Sequence, residues 1–258
     1  MSEKATFWEH LDELRWAILR SLVVVVVFAV ALFCLKEQLF SIVLAPRSSD
    51  FITYRLMDTD AFKVPLMNIG LTEQFMTHMR VAIYAGLLFA LPYALYELFR
   101  FISPGLYRNE RKAAVGIVGS SYLMFLLGTF VNYFIIFPFT VRFLGTYQVS
   151  DDVANMLTLQ SYIDTLITMS FLLGVIFELP VVCTILGRLH FISGQLMRRF
   201  RRHAIVAILI VAAIITPTTD VFTLLIVSLP IWLLYEVSIW LVPSNSSHLS
   251  HNSHNSHK

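Results

Sequence analysis

Successive apolar runs, each near the length needed to cross a bilayer, decide what this chain can fold into. The first spans about Ala17 to Leu35 and holds five consecutive valines, Val23 to Val27. Others cover about Met79 to Phe99, Ala113 to Phe137 and Ile163 to Leu186. Two shorter ones follow, Ala204 to Ile215 and about Val221 to Val242 with Pro230 in its middle. Roughly 20 apolar residues cross the hydrocarbon core as a helix, and only helices or closed barrels leave no backbone group unsatisfied in lipid. The composition agrees, with 57% hydrophobic residues, only 14% charged ones and a mean hydropathy of +0.71. The reading is an all-α integral membrane protein of six transmembrane helices in a bent, concave bundle. A membrane domain over residues 1–243 is followed by a flexible tail over 244–258.

The last pair is the tightest constraint. A dozen residues at 1.5 Å each reach only about 18 Å, below the roughly 30 Å core, so Ala204 to Ile215 must thin the bilayer, stay partly buried in protein or form a re-entrant hairpin with span six. Thr216 to Asp220 leaves room only for a tight turn.

Lysine and arginine set the orientation. With six spans, both termini, the loop between spans two and three and the loop between four and five share one side. That side carries Arg108, Arg111, Lys112, Arg188, Arg198, Arg199, Arg201 and Arg202, among others. Positive charge marks the cytoplasmic side, so both termini are expected there. Met1 to Arg15 is charged and amphipathic, and the run after it is long enough to span, so no cleavable signal is read there. A net charge of +2, with no basic stretch interleaved with aromatics, argues against nucleic acid as a partner.

Packing signals are structural. Ala82, Gly86 and Ala90 recur every four residues, as do Gly116 and Ser120, and small residues on one stripe let helices approach closely. Pro92, Pro138, Pro180 and Pro230 are expected to bend their segments. Cys34 and Cys183 read as packing residues. In the long external loop from Lys36 to Gln74, Met57, Phe62 and Met67 suggest a packed cap. The tail places His248, His251, His254 and His257 three residues apart, but flexible polar chain cannot fix metal geometry, so neither metal nor cofactor is expected.

One residue breaks the apolar pattern where lipid tolerates it least. Glu178 lies in Phe177-Glu178-Leu179-Pro180, within the fourth run. A charge at bilayer depth costs roughly 2.5–3.5 kcal/mol on insertion scales and is functional by default. Pro180 bends the helix beside it or frees a carbonyl. Such a carboxylate would also suit an ion- or proton-coupled secondary transporter. An intramembrane enzyme would need a nucleophile with its base, or metal ligands. His78, His190 and His203 fall at the ends of segments rather than within spans, and no serine sits in a Gly-x-Ser-x-Gly elbow.

Four blocks in order bring a resemblance: His10-Leu11-Asp12-Glu13-Leu14-Arg15, the loop from Phe101 through Ser103-Pro104-Gly105-Leu106-Tyr107 to Glu110, Phe177-Glu178-Leu179-Pro180, and Thr216-Pro217-Thr218-Thr219-Asp220-Val221-Phe222. Together they resemble TatC, the multi-spanning receptor subunit of the twin-arginine protein translocase, over about Phe7 to Trp240. The resemblance implies a protein of the bacterial inner membrane, not an enzyme, that binds twin-arginine signal peptides of folded cargo. It would nucleate a complex driven by the proton motive force. It implies Glu13, Arg15, Phe101 and Glu110 as signal-peptide residues, Pro46 as a functional position of the first external loop, and Glu178 as the intramembrane polar group. Tyr133 and Asp220 fall where single-span partner subunits of the TatA and TatB type would dock, and self-association is implied too. Leu224 departs from the family's usual glutamine.

Guanidinium meets a carboxylate through two parallel hydrogen bonds, which an ammonium cannot do. Each charge-assisted bond contributes roughly 1.5–3 kcal/mol. Two acids reading two arginines therefore give both affinity and specificity.

Overall fold

The computed structural model describes residues 2–57, 62–102, 111–147, 156–189, 191–216 and 220–242. The tail and its histidines, and most of the loop before Glu110, lie outside these. The chain forms two compact units, residues 1–174 and 175–258. Helices dominate both, and among the described residues five are long and apolar enough to cross a membrane.

In the first unit, α1 (Ser2–Cys34) starts well before the apolar run, because the charged residues ahead of it are also good helix formers. Its valines point outward: Val23, Val27 and Val30 are each 61% exposed, as a lipid-facing surface requires. The other face packs along α4 (Glu73–Ile102), which carries Pro92 inside it. Here the small-residue stripe does what its spacing predicts. A Cβ on Gly86 would sit 2.6 Å from the backbone nitrogen of Ala29, so only glycine permits this approach.

The second stripe does not. A Cβ on Gly116 in α5 (Arg111–Val131) would meet nothing within 4 Å, so among the described residues no close contact forms at that glycine. The third apolar run extends further than its composition suggests. After α5 comes a π-helical turn, Asn132–Ile136, and then α6 (Phe137–Thr146), which has Pro138 in its first turn. Proline at the start of a helix loses no hydrogen bond, and the wider turn before it absorbs the mismatch.

The segment between α1 and α4 contains α2 (Lys36–Val43), a 3-10 turn over Ala45–Arg47, α3 (Ile52–Leu56) and β1 (Leu66–Met67). β1 pairs in parallel with β2 (Leu157–Thr158), a link the sequence does not announce. Of the three residues expected to form the cap, one does so. Phe62 packs against the core, whereas Met57 and Met67 are 46% and 38% exposed. Val64, Phe137, Tyr162 and Ile163 are buried at its centre.

Histidine placement is also corrected. Because α4 begins at Glu73, His78 lies inside a candidate span rather than at its edge. It is buried, stacked on Phe33 with centroids 4.0 Å apart, and Phe40 meets it edge-on. Cys34 is exposed, so only Cys183 is a packing residue.

The fourth run holds α7 (Leu159–Ile176), assigned mainly to the first unit, and α8 (Leu179–Arg188) in the second. The helix breaks at Phe177 and Glu178, just ahead of Pro180. In the second unit, α9 (Gly194–Arg199) starts with the Ser193 hydroxyl accepting from the Leu196 amide. Gly194 lets it approach the carbonyls of Ile239 in α11 (Val221–Leu241) and of Val242 just after it. Between them α10 (Arg201–Ile215) has 15 residues, about 22 Å at 1.5 Å per residue, too short to cross a bilayer unaided. Arg201 pairs with Glu236 at 2.6 Å, tying the start of α10 to α11.

Candidate functional site

The packing of α1 against α4 places the start of one helix beside the end of the other. Glu13, Ala17 and Arg20 fall on one face of α1, at helical spacings of four and three. Glu97, Arg100 and Phe101 occupy the facing end of α4. These six residues line one small concavity, packed too tightly to admit a water. Two of the positions singled out from sequence, Glu13 and Phe101, thus come together from segments nearly ninety positions apart. Arg15 lies on α1 and is exposed, outside the concavity's lining. Glu110 falls outside the described residues.

Two residues here escaped the sequence reading. Glu97 is buried, with its side chain only 4% exposed, and Arg20 reaches it with Nη2 3.3 Å from Oε2. The Tyr93 hydroxyl donates to its other oxygen, Oε1, at 3.0 Å. The signal was available: an acid near the end of one apolar run and an arginine near the start of another. Antiparallel helices bring such positions to the same depth.

Pro46 and Tyr133 lie at the other end of the first unit, among contacts that hold its loops. Pro46 is buried in the 3-10 turn, and its carbonyl oxygen lies 3.1 Å from the Tyr54 hydroxyl. The same hydroxyl lies 2.7 Å from the Pro138 carbonyl oxygen and donates between them. Burial pushes the Tyr54 phenol far above its ordinary pKa, against a smaller opposing pull from Arg142, so it stays a neutral donor. Tyr133 is half-buried in the π turn and donates to the Ile42 carbonyl at 2.6 Å, while Tyr162 donates to that of Val43 at 3.1 Å. Both satisfy carbonyls that the end of α2 leaves without helical partners. Glu73 accepts from the amides of Ile69, Gly70 and Gln160, joining the segment between α1 and α4 to the start of α7.

In the second unit Asp220 caps α11, accepting from the Thr223 amide at 2.7 Å. Leu224 is half-buried one turn further on. Glu178 is half-buried at the helix break, where its carbonyl accepts from Val182 at 2.9 Å.

Residues 9–230 match the family model described as Sec-independent protein translocase protein (TatC). The chain belongs to the TatC family. A TatC from Desulforapulum autotrophicum is 35% identical over 237 residues, covering 92% of this chain and 84% of that one. The TatCy protein of Bacillus subtilis is 32% identical over 232 residues, with 90% and 86% covered. A crystal structure described as the twin arginine translocase receptor TatC superposes with a TM-score of 0.73 at 30% identity, covering 90% of this chain and 97% of that one. This TatC chain is accordingly a multi-pass membrane protein of a Sec-independent translocase.

Proposed function

We propose that this chain is the receptor subunit of a twin-arginine translocase, binding the signal peptides of folded cargo where α1 meets α4. The observation that carries the reading is the convergence of Glu13 and Phe101 in one concavity, with an acid and two arginines around them. A carboxylate at a membrane rim is only partly solvated, which strengthens its attraction for guanidinium. Phe101 supplies an apolar wall against which an arginine stem or neighbouring side chain can lie. Glu110 completes the set, one carboxylate for each arginine of the pair.

In this reading the chain sits in the inner membrane with six spans, α10 being the short one, and both termini are cytoplasmic. Single-span partners of the TatA and TatB type dock beside Tyr133 and the Asp220 end of α11. Copies of the chain associate with one another, and the proton motive force drives transport through the assembly.

Binding of a fluorescent twin-arginine signal peptide to the purified protein tests the receptor role. Glu110→Gln keeps the size of the side chain and removes its charge, so affinity should fall at least tenfold, about 1.4 kcal/mol. Glu13→Gln should weaken binding as well. Unchanged affinity in both variants would return the two acids to ordinary solvated charge. For topology, single cysteines at Ser49 and within Arg198 to Arg202 should react with an impermeant reagent from opposite sides.

A further inference from the structure

Glu97 is the most deeply buried acid of the concavity, and its pairing is incomplete. Arg20 approaches only Oε2, and at 3.3 Å that contact lacks hydrogen-bond geometry, leaving Oε2 buried without a hydrogen bond. A second arginine–carboxylate pair in the same unit shows what a satisfied one looks like. Nη1 of Arg80 meets both oxygens of Asp164, at 2.6 and 2.8 Å, although both side chains are more than 40% exposed. The buried acid therefore has the looser partner. Arg20 is also poorly committed: its side chain is 43% exposed and its Nε already donates to the Trp16 carbonyl at 3.2 Å.

We propose that Glu97 is a third guanidinium-binding carboxylate of this site, and that Arg20 is a resident stand-in which an arginine of the incoming signal peptide displaces. The inference rests on the receptor reading and deepens it. A buried carboxylate cannot simply lose its cation, because the uncompensated charge would be costly. It can exchange one guanidinium for another. A peptide arginine that takes the place of the Arg20 guanidinium, beside Glu13 and Phe101, offers the two parallel bonds that Arg20 does not make. The Arg20 side chain, 43% exposed, is then free to swing outward from the concavity. Lysine brings only a point charge and no fork, so it cannot drive the exchange, and the site discriminates between the two bases. Tyr93 holds the other oxygen and keeps the carboxylate turned toward the concavity.

The geometry sets a sign that a purely structural ion pair would not. Removing Arg20 removes a competitor, so Arg20→Gln should bind a twin-arginine peptide about three- to tenfold more tightly than the unmodified chain. Glu97→Gln should bind it about tenfold more weakly and lose part of the preference over a peptide with one arginine changed to lysine. The double variant should match Glu97→Gln, the gain from Arg20→Gln being cancelled. Each measurement uses the full chain in lipid nanodiscs, with a thermal melt alongside. Should Arg20→Gln fail to fold, Arg20→Lys serves, since a weaker resident cation should again tighten peptide binding. Equal or weaker binding by the folded Arg20 variant, or a gain that survives in the double variant, overturns the proposal. Glu13→Gln and Glu110→Gln separate the two levels: if they lose binding while the Arg20 variant gains none, this inference falls and the receptor reading stands.

Discussion

The two ends of the first unit handle buried polarity in opposite ways. Around α2, α3 and the start of α7, polar side chains are consumed by backbone: Tyr54 bridges the carbonyls of Pro46 and Pro138, Tyr133 serves Ile42, and Glu73 gathers three amides. Backbone partners cannot swing away, so these contacts fix loops. Where α1 meets α4, charge is held by side chains, Glu97 by Arg20 and Tyr93. Side-chain partners can be exchanged for a ligand. The difference says which polar groups build the scaffold and which are available for recognition.

The sharpest way to break that comparison is to pull its frame apart. Gly86→Val places a branched side chain where even a Cβ lies 2.6 Å from the Ala29 backbone. It should cost about 3 kcal/mol or prevent accumulation, and abolish peptide binding because α1 no longer positions Glu13. Gly116→Val carries the same spacing signal but meets nothing within 4 Å, so it should stay within about 0.5 kcal/mol of the parent. Thermal melting of both in detergent decides the matter; equal effects would mean that close approach is not what Gly86 provides.

That contrast also shows how far the sequence could be read. Spans and their order were legible because lipid demands long apolar helices, and the family motifs stand in order along them. Contact was not legible, since Gly86 and Gly116 look alike until α1 is laid against one of them. Acids behaved similarly. Glu178 stood out because apolar residues surround it in sequence. Glu97 was overlooked because it lies near the end of its run, and only packing reveals its burial and its partner. Helix ends were lost where polar residues continue a helix, as in α1 and α4, and the pairing of β1 with β2 joins segments too short to show a pattern.

Tyr54→Phe tests the scaffold end alone. Deleting the hydroxyl leaves two carbonyls without their shared donor and should cost about 2 kcal/mol of stability. Signal-peptide affinity should remain unchanged, because nothing at the α1–α4 end is touched. A loss of affinity without loss of stability would show that these contacts are not merely framework.

The smallest effect is expected at Glu178, which belongs to neither pattern. Its unit is separate, it sits at a helix break rather than within a packed face, and it is only half-buried. If its part is to keep a polar patch in an apolar segment, glutamine should serve almost as well, since it conserves shape and still forms hydrogen bonds. Glu178→Leu should then reduce export of a folded twin-arginine reporter while leaving signal-peptide binding intact. A proton-coupled role gives the opposite ranking, because the titratable proton itself would be the working part and glutamine has none. Reporter export measured beside peptide binding for both variants separates these cases. Complete loss of export with Glu178→Gln at normal protein levels would make proton coupling the better account of this residue.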